Sequence, residues 1–127
     1  MSDVPDGLLY SADHVWARID GARARIGITH YAQEALGEVV FVNLLVVGTT
    51  CTVGASLGHV ESLKSTSEIY SPVEGTIIAC NGGVGGHPEL VNSDPYGEGW
   101  LCEIEMAEAP EASLLSAVDY RAKVAED

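Results

Sequence analysis

Short apolar segments punctuated by glycines occupy the middle of this chain and restrict it to a mainly β fold. Residues 38–47, EVVFVNLLVV, have the composition of a buried strand, and several short β-prone runs bounded by glycines follow from Gly48 onward. Nothing in this part of the sequence indicates a doubly wound α/β sheet. We therefore predict a core of short antiparallel strands.

The first third of the chain carries local signals for a hairpin and a short helix. The runs VWARI and ARIGI flank Asp20-Gly21, a dipeptide that tolerates the positive φ angles of tight hairpin turns. The next segment, THYAQEAL, predicts a short helix with Thr29 as its N-cap and Gly37 as its C-terminal stop. A helix should therefore follow directly on the hairpin.

Two further helices are predicted at the C-terminal end. Pro110 and Ser116 can open the stretches EASLL and AVDYRAKVAE, at 111–115 and 117–126. Asp119 lies three residues after Ser116, a spacing that resembles a capping box.

Length and hydropathy define the expected domain and compartment. A chain of 127 residues can bury roughly two-thirds of its unfolded surface, so we predict one domain, 1–127, with a core region at about 38–106 and a helical segment at about 110–126. No apolar run approaches the about 18 residues of a membrane helix, and the acidic start MSDVPDGLLY is unlike a targeting segment. We expect a cytoplasmic protein of bacterial type.

Net charge restricts the possible partners. Six Lys and Arg against 19 Asp and Glu give 6 − 19 = −13. Such a chain repels phosphate backbones and anionic lipid surfaces, so neither nucleic acid nor membrane is an expected partner. Proteins with basic docking patches would instead be steered toward it.

Candidate catalytic and metal-binding groups are scattered along the chain. The four histidines have no ligand-like spacing and no cysteine pairs with them, so no metal site is predicted. Cys51, Cys80 and Cys102 lack CxxC spacing and lie in apolar β-like runs, which is typical of buried reduced thiols. In WLCEIEM the alternation points Cys102 into the core and leaves Glu103 and Glu105 on a solvated face. No catalytic residue is assigned.

One lysine stands at the centre of a polar turn between two β-prone runs. In GHVESLKSTSEIYSPVEG, residues 58–75, strand pairing around the turn would leave Lys64 at its tip. Neighbouring hydroxyls would supply local hydrogen bonds in place of the ladder; they belong to Ser62, Ser65, Thr66 and Ser67. A modifying enzyme can reach an exposed tip, although a lysine in such a turn is more often a solvated charge.

Three separated segments resemble the H-protein family of the glycine cleavage system. VESLKSTSEIYSPVEG is similar to the lipoyl-lysine hairpin of that family, GITHYAQEALGEVVFVNL to the segment before it, and HPELVNSDPYGEGW to a later signature. The resemblance extends from YSADHVWARIDG to the C-terminal helix. It implies a lipoyl/biotinyl-type barrel-sandwich hybrid with lipoate joined covalently to Lys64, and with Glu61, Ser62, Leu63 and Ser65 as the surface that a lipoylating enzyme recognises.

The resemblance implies a carrier and not an enzyme. In the family, a pyridoxal-phosphate glycine decarboxylase passes an aminomethyl group to the lipoyl disulfide, and an aminomethyltransferase takes the one-carbon unit. Dihydrolipoyl dehydrogenase then reoxidises the dithiol, and a lipoyl or octanoyl transferase installs the arm. The chemistry belongs to cofactors and partner enzymes, while the carrier supplies position and reach.

Three other functions remain open at this stage. A biotin carrier has a similar hairpin, but its lysine typically lies between two methionines, whereas Leu63 and Ser65 flank Lys64 here. The chain could also relay lipoyl groups to other complexes, or act as an unmodified acidic binding module.

Two departures from the family pattern concern the Gly-rich segment NGGVGG and the triplet His14-Val15-Trp16. The Gly-rich segment should form a more mobile loop at 82–86, and it lacks the third glycine of a dinucleotide fingerprint. The triplet lacks the glutamate that the family commonly has in second place, so either a neighbour such as Asp13 or Glu34 replaces it or the arm is held less tightly.

Overall fold

The computed structural model describes residues 3–108 and 114–126 and contains nine strands and four helices in that part of the chain. The strands are β1 Leu9–Tyr10, β2 Val15–Asp20, β3 Arg23–Ile28, β4 Val39–Leu44, β5 Thr50–Cys51, β6 Ser56–Ser62, β7 Thr66–Tyr70, β8 Gly75–Cys80 and β9 Cys102–Met106. The helices are α1 His30–Leu36, α2 Gly82–Gly86, α3 Leu90–Ser93 and α4 Ala117–Glu126. None of these helices is long and apolar enough to cross a membrane.

The strands form two antiparallel sheets. The larger sheet has the order β1-β2-β3-β9-β8-β5 and the smaller sheet the order β4-β6-β7. The predicted mainly β class is confirmed. The principal core is a single cluster of apolar side chains from both sheets, including Leu57, Ile69 and Ile77.

The local predictions for the first third of the chain are confirmed. β2 and β3 pair from Val15↔Ile28 to Asp20↔Arg23, and the turn between them places Gly21 at φ +62°. Thr29 Oγ1 accepts a hydrogen bond from the Ala32 amide at 3.2 Å, as an N-cap should. Gly37 ends α1 with φ +89°, a conformation that favours glycine.

Segment 38–47 departs from the predicted buried strand. β4 ends at Leu44, and exposed apolar side chains include Phe41 at 49% and Val46 at 74% of their surface. β4 is an edge strand of the three-stranded sheet, so its second edge has no neighbouring strand of that sheet. The apolar side chains of segment 38–47 are therefore only partly packed, and the prediction that this segment is a buried strand is wrong.

The alternation in β9 is confirmed for its apolar positions. Cys102, Ile104 and Met106 are buried. Glu105 is exposed as predicted, but the Glu103 side chain is only 13% exposed, and its carboxylate lies 2.9 Å from Arg25 Nε on the neighbouring β3. Cross-strand pairing of opposite charges accounts for this contact.

The C-terminal predictions are confirmed in one of their two parts. Helix α4 begins after Ser116, whose Oγ accepts a hydrogen bond from the Asp119 amide at 3.2 Å. Of the helix predicted at 111–115, residues 111–113 lie outside the described part of the chain. Leu115 forms an antiparallel bridge with Tyr10, so the helix does not extend through that residue.

The Gly-rich segment forms the short helix α2 instead of the predicted loop. Asn81 caps it, with its Oδ1 accepting from the Gly83 amide at 2.9 Å, and Val84 is 1% exposed. The buried valine and the cap anchor a sequence whose glycines alone disfavour a helix.

Candidate functional site around Lys64

Lys64 lies at the apex of a three-residue loop whose shape depends on Ser62. The loop joins β6 to β7 and exposes Lys64 to solvent. Ser62 Oγ accepts from the amides of Lys64 at 3.2 Å and Ser65 at 3.1 Å, and the Ser62 amide donates to the Ser65 carbonyl at 2.8 Å. These local bonds replace ladder bonds at the turn and hold Lys64 in a defined position.

The loop is also connected to the corner between α1 and β4. The Leu63 amide donates to the Glu38 carbonyl at 3.2 Å. The Lys64 side chain crosses the open face of Gly37, since a Cβ built on that glycine would lie 3.2 Å from Lys64 Cε. A glycine at this position therefore serves both the end of the helix and the passage of the lysine stem.

Asn92 holds the same corner through its side chain. Its Oδ1 accepts from the Val39 amide at 2.8 Å, and its Nδ2 donates to the Gly37 carbonyl at 2.8 Å and to Gln33 Oε1 at 2.9 Å. Asn92 belongs to the segment HPELVNSDPYGEGW, whose resemblance to the family predicted no role for any one of its residues. The one sequence signal that could have pointed to Asn92 is a polar residue directly after the apolar pair Leu90-Val91.

A cavity of about 800 Å³ opens beside α1. Tyr31, Glu34 and Ala35 line it from one face of α1, and Arg121 and Val124 line it from α4. Three and four residues separate these α1 positions, which places them on one side of the helix. The lining combines apolar surface with two acidic residues, Asp3 and Glu34, and one basic residue, Arg121.

Tyr120 fixes α4 against the start of α1. Its Oη lies 2.7 Å from Thr29 Oγ1 and 2.7 Å from His14 Nδ1, and its ring stacks on Tyr10 at 4.6 Å between centroids. The same Thr29 hydroxyl caps α1, so one hydrogen-bonded group links the two helices that line the cavity.

Tyr96 makes a second connection at this end of α1. Its Oη accepts from the His30 amide at 3.0 Å and donates to the Asp3 carbonyl at 2.6 Å. Burial raises the pKa of Tyr96 to about 12, so the phenol remains a hydrogen-bond donor at a more alkaline pH than an exposed tyrosine would.

The model of the glycine cleavage H-protein family matches residues 8–127. The chain belongs to the glycine cleavage H-protein family. A glycine cleavage system H protein of Mycolicibacterium vanbaalenii is 53% identical over 131 residues, covering 99% of this chain and 100% of the relative. That of Nitratidesulfovibrio vulgaris is 49% identical over 124 residues, covering 98% of this chain and 97% of the relative.

A solved structure of the H-protein family has the same fold. The crystal structure of a glycine cleavage system H protein from Mycobacterium marinum matches with a TM-score of 0.87 at 40% identity, covering 94% of this chain and 98% of that one. The predicted barrel-sandwich fold of the lipoyl-domain type is confirmed.

The structure brings the predicted recognition residues together around the apex of the loop. Leu63 is 75% exposed and Ser65 is exposed, whereas Glu61 and Ser62 are partly buried at the end of β6. Of these residues, Ser62 acts on the backbone of the turn through its hydroxyl.

In the folded chain, the middle residue of the triplet His14-Val15-Trp16 lies in the core. Val15 is 1% exposed and packs in the principal core, opposite Ile28. This H-protein family member therefore uses the position for apolar packing. Glu34, one of the two carboxylates suggested as a replacement, lines the cavity beside α1.

Proposed function

We propose that this chain is the lipoyl carrier of a glycine cleavage system, with lipoate joined through an amide to Nζ of Lys64. The observation that supports this most strongly is an exposed lysine at the apex of a turn ordered by Ser62, in a chain of the H-protein family. A side chain in this position is accessible to a modifying enzyme while its backbone stays defined.

The surroundings of Lys64 fit an acylated amine. Within residues 3–108 and 114–126, no carboxylate forms an ion pair with its ammonium group. Amide formation removes the positive charge, so it would break no ion pair in this region. Gly37 leaves room for the aliphatic stem, which stays in contact with protein while the distal end extends away.

The four residues around Lys64 would have separate roles in lipoylation. Leu63 and Ser65 expose side chains beside the target amine and would contact the transferase directly. Ser62 would act by keeping the turn in shape, since its hydroxyl already accepts from two backbone amides. Glu61, at the end of β6, would contribute negative charge next to the site.

Lipoate held by Lys64 would supply the redox-active disulfide and the attachment point for an aminomethyl group, on which glycine decarboxylase, aminomethyltransferase and dihydrolipoyl dehydrogenase would act in turn. This chain would contribute the tether, which keeps the transferred group at a high effective concentration near each partner. Its charge of −13 would favour encounter with basic docking surfaces. We propose that the chain itself is not catalytic.

The cavity beside α1 would shelter the distal end of the arm between visits to partners. Lys64 crosses the C-terminal end of α1, and the face of that helix carrying Tyr31, Glu34 and Ala35 lines the cavity. The apolar lining would receive the hydrocarbon part of the arm, and the Glu34 carboxylate would attract a cationic end group. A partly exposed ion pair contributes at most about 1 kcal/mol.

Intact mass spectrometry and peptide mapping after expression in a lipoate-competent cell test the assignment. We expect one lipoyl or octanoyl adduct on Lys64, none on Lys123 in α4, and a folded but unmodified Lys64→Arg variant, with Lys123→Arg as the matched control. A biotin adduct would indicate the biotin carrier, and an adduct on Lys123 or none at all would contradict the proposal. The isolated lipoylated chain should release no carbon dioxide from glycine.

A further inference from the structure

Two cysteines face each other directly across the ladder between β8 and β9. Cys80 is the antiparallel partner of Cys102 in the register of these strands. Directly opposed residues of an antiparallel pair project to the same face, with Cβ atoms about 4.5–5.5 Å apart. A disulfide needs a Cβ separation of about 3.5–4.5 Å, so a small local adjustment would bring the two sulfurs into bonding geometry.

The two thiols differ in their access to solvent. Cys102 is 1% exposed, whereas Cys80 is partly exposed at the end of β8, with its Sγ 3.4 Å from the Leu45 carbonyl oxygen. Burial raises the pKa of both thiols, that of Cys102 to about 12, and the Cys80 and Cys51 thiols add to the increase at Cys102. An external reagent therefore meets Cys80 first, and Cys102 can react only with a group that is already beside it.

The third thiol, Cys51, contributes to the raised pKa of Cys102 but lies on a different strand, β5. Cys51 lies on β5 opposite Gly75, and its Sγ lies 3.6 Å from Ser71 Oγ and 3.9 Å from the Val73 carbonyl oxygen. It faces neither position of the Cys80–Cys102 pair in the ladder.

We propose that Cys80 and Cys102 form a reversible intramolecular disulfide by exchange with a low-molecular-weight disulfide, RSSR. The Cys80 thiolate attacks one sulfur of RSSR, which forms a mixed disulfide and releases RS⁻. The Cys102 thiol then loses its proton and attacks the Cys80 sulfur, which releases the second RS⁻. In total, two cysteine thiols are oxidised to one disulfide while RSSR is reduced to two RSH.

The new bond would restrain the region that supports the Lys64 loop. It would close a loop over residues 81–101, the segment that contains Asn92 and Tyr96. Asn92 holds Gly37 and Val39 through its side chain, and the Lys64 stem passes over the same glycine. Oxidation would thus reduce opening of the segment on which the position of the carrier loop depends.

Incubation of the folded full-length chain with glutathione disulfide tests the proposal. After alkylation of the remaining thiols and digestion without reduction, we expect a peptide linked through Cys80 and Cys102, with Cys51 alkylated. The Cys51→Ser variant should give the same linked peptide. The Cys102→Ser variant should stop at a glutathione adduct on Cys80, and the Cys80→Ser variant should form no adduct on Cys102.

A second readout is hydrogen exchange at the Val39 amide, which the disulfide should slow in the wild-type chain and leave unchanged in Cys80→Ser. Reduction with a dithiol should restore the original exchange rate. The proposal is overturned if the wild-type chain stops at a glutathione adduct on Cys80, if Cys51 appears in the linked peptide, or if Cys80 does not react. The wild-type measurement decides this even if the Cys102→Ser variant folds poorly.

Discussion

Replacing Asn92 by alanine should weaken both the fold and the support of the Lys64 loop. The substitution removes three hydrogen bonds, to the Val39 amide, the Gly37 carbonyl and the Gln33 side chain. Each contributes a net of about 1 kcal/mol, which gives about 3 kcal/mol for the three. Asn92 is partly exposed, so water can replace part of this loss, and we expect about 2–3 kcal/mol.

Urea unfolding measures this loss as a lower midpoint at an unchanged slope. Asn43→Ala is the matched control, because Asn43 is an exposed asparagine on β4 and its loss should stay within about 0.5 kcal/mol. Hydrogen exchange at the Val39 amide should accelerate only in Asn92→Ala. If both variants unfold at the wild-type midpoint, the Asn92 bonds contribute nothing to stability and the argument from geometry fails.

Three further variants test other parts of the structure. Gly37→Ala places a Cβ at φ +89° and 3.2 Å from Lys64 Cε. The free energy of unfolding should therefore fall by about 1–3 kcal/mol, and lipoylation should slow. Gly48→Ala is the control, because Gly48 has φ +98° and open space around it, and this variant should be less stable without slower lipoylation. Equal lipoylation rates in Gly37→Ala and Gly48→Ala would argue against the contact with Lys64. Val15→Glu places a carboxylate in the core and should cost about 3–5 kcal/mol of unfolding free energy, and a wild-type midpoint would disprove its burial. Burial raises the pKa of Tyr96 to about 12, whereas the same phenol titrates near 10 in the unfolded chain. The contribution of Tyr96 to the free energy of unfolding is therefore complete below pH 10 and is lost as the pH rises toward 12. Tyr96→Phe should reduce that alkaline loss, and an identical pH profile of urea midpoints would contradict this.

The sequence by itself determined the elements whose signals are local. The β2–β3 turn depends on Gly21, the start of α1 on Thr29 and its end on Gly37, and each is a property of a few adjacent residues. The position of Lys64 at a turn apex followed in the same way from two β-prone runs on either side of a polar patch. Such local structures are predictable from the sequence, because they depend on the backbone preferences and hydroxyl groups of a few adjacent residues.

Tertiary structure alone decided which of these elements meet. Asn92 reaches Gly37 across 55 positions and Tyr120 reaches Thr29 across 91, and no local pattern specifies such partners. The exposure of Phe41 also depends on the sheet, since an apolar run looks the same whether its strand is central or at an edge. The pairing of Cys80 with Cys102 is a matter of register, and a shift of one residue would point one of the two thiols to the opposite face. Contacts of this kind depend on the packing of the two sheets as a whole, because residues distant in the chain decide how far each side chain is buried and which residue it faces across the ladder.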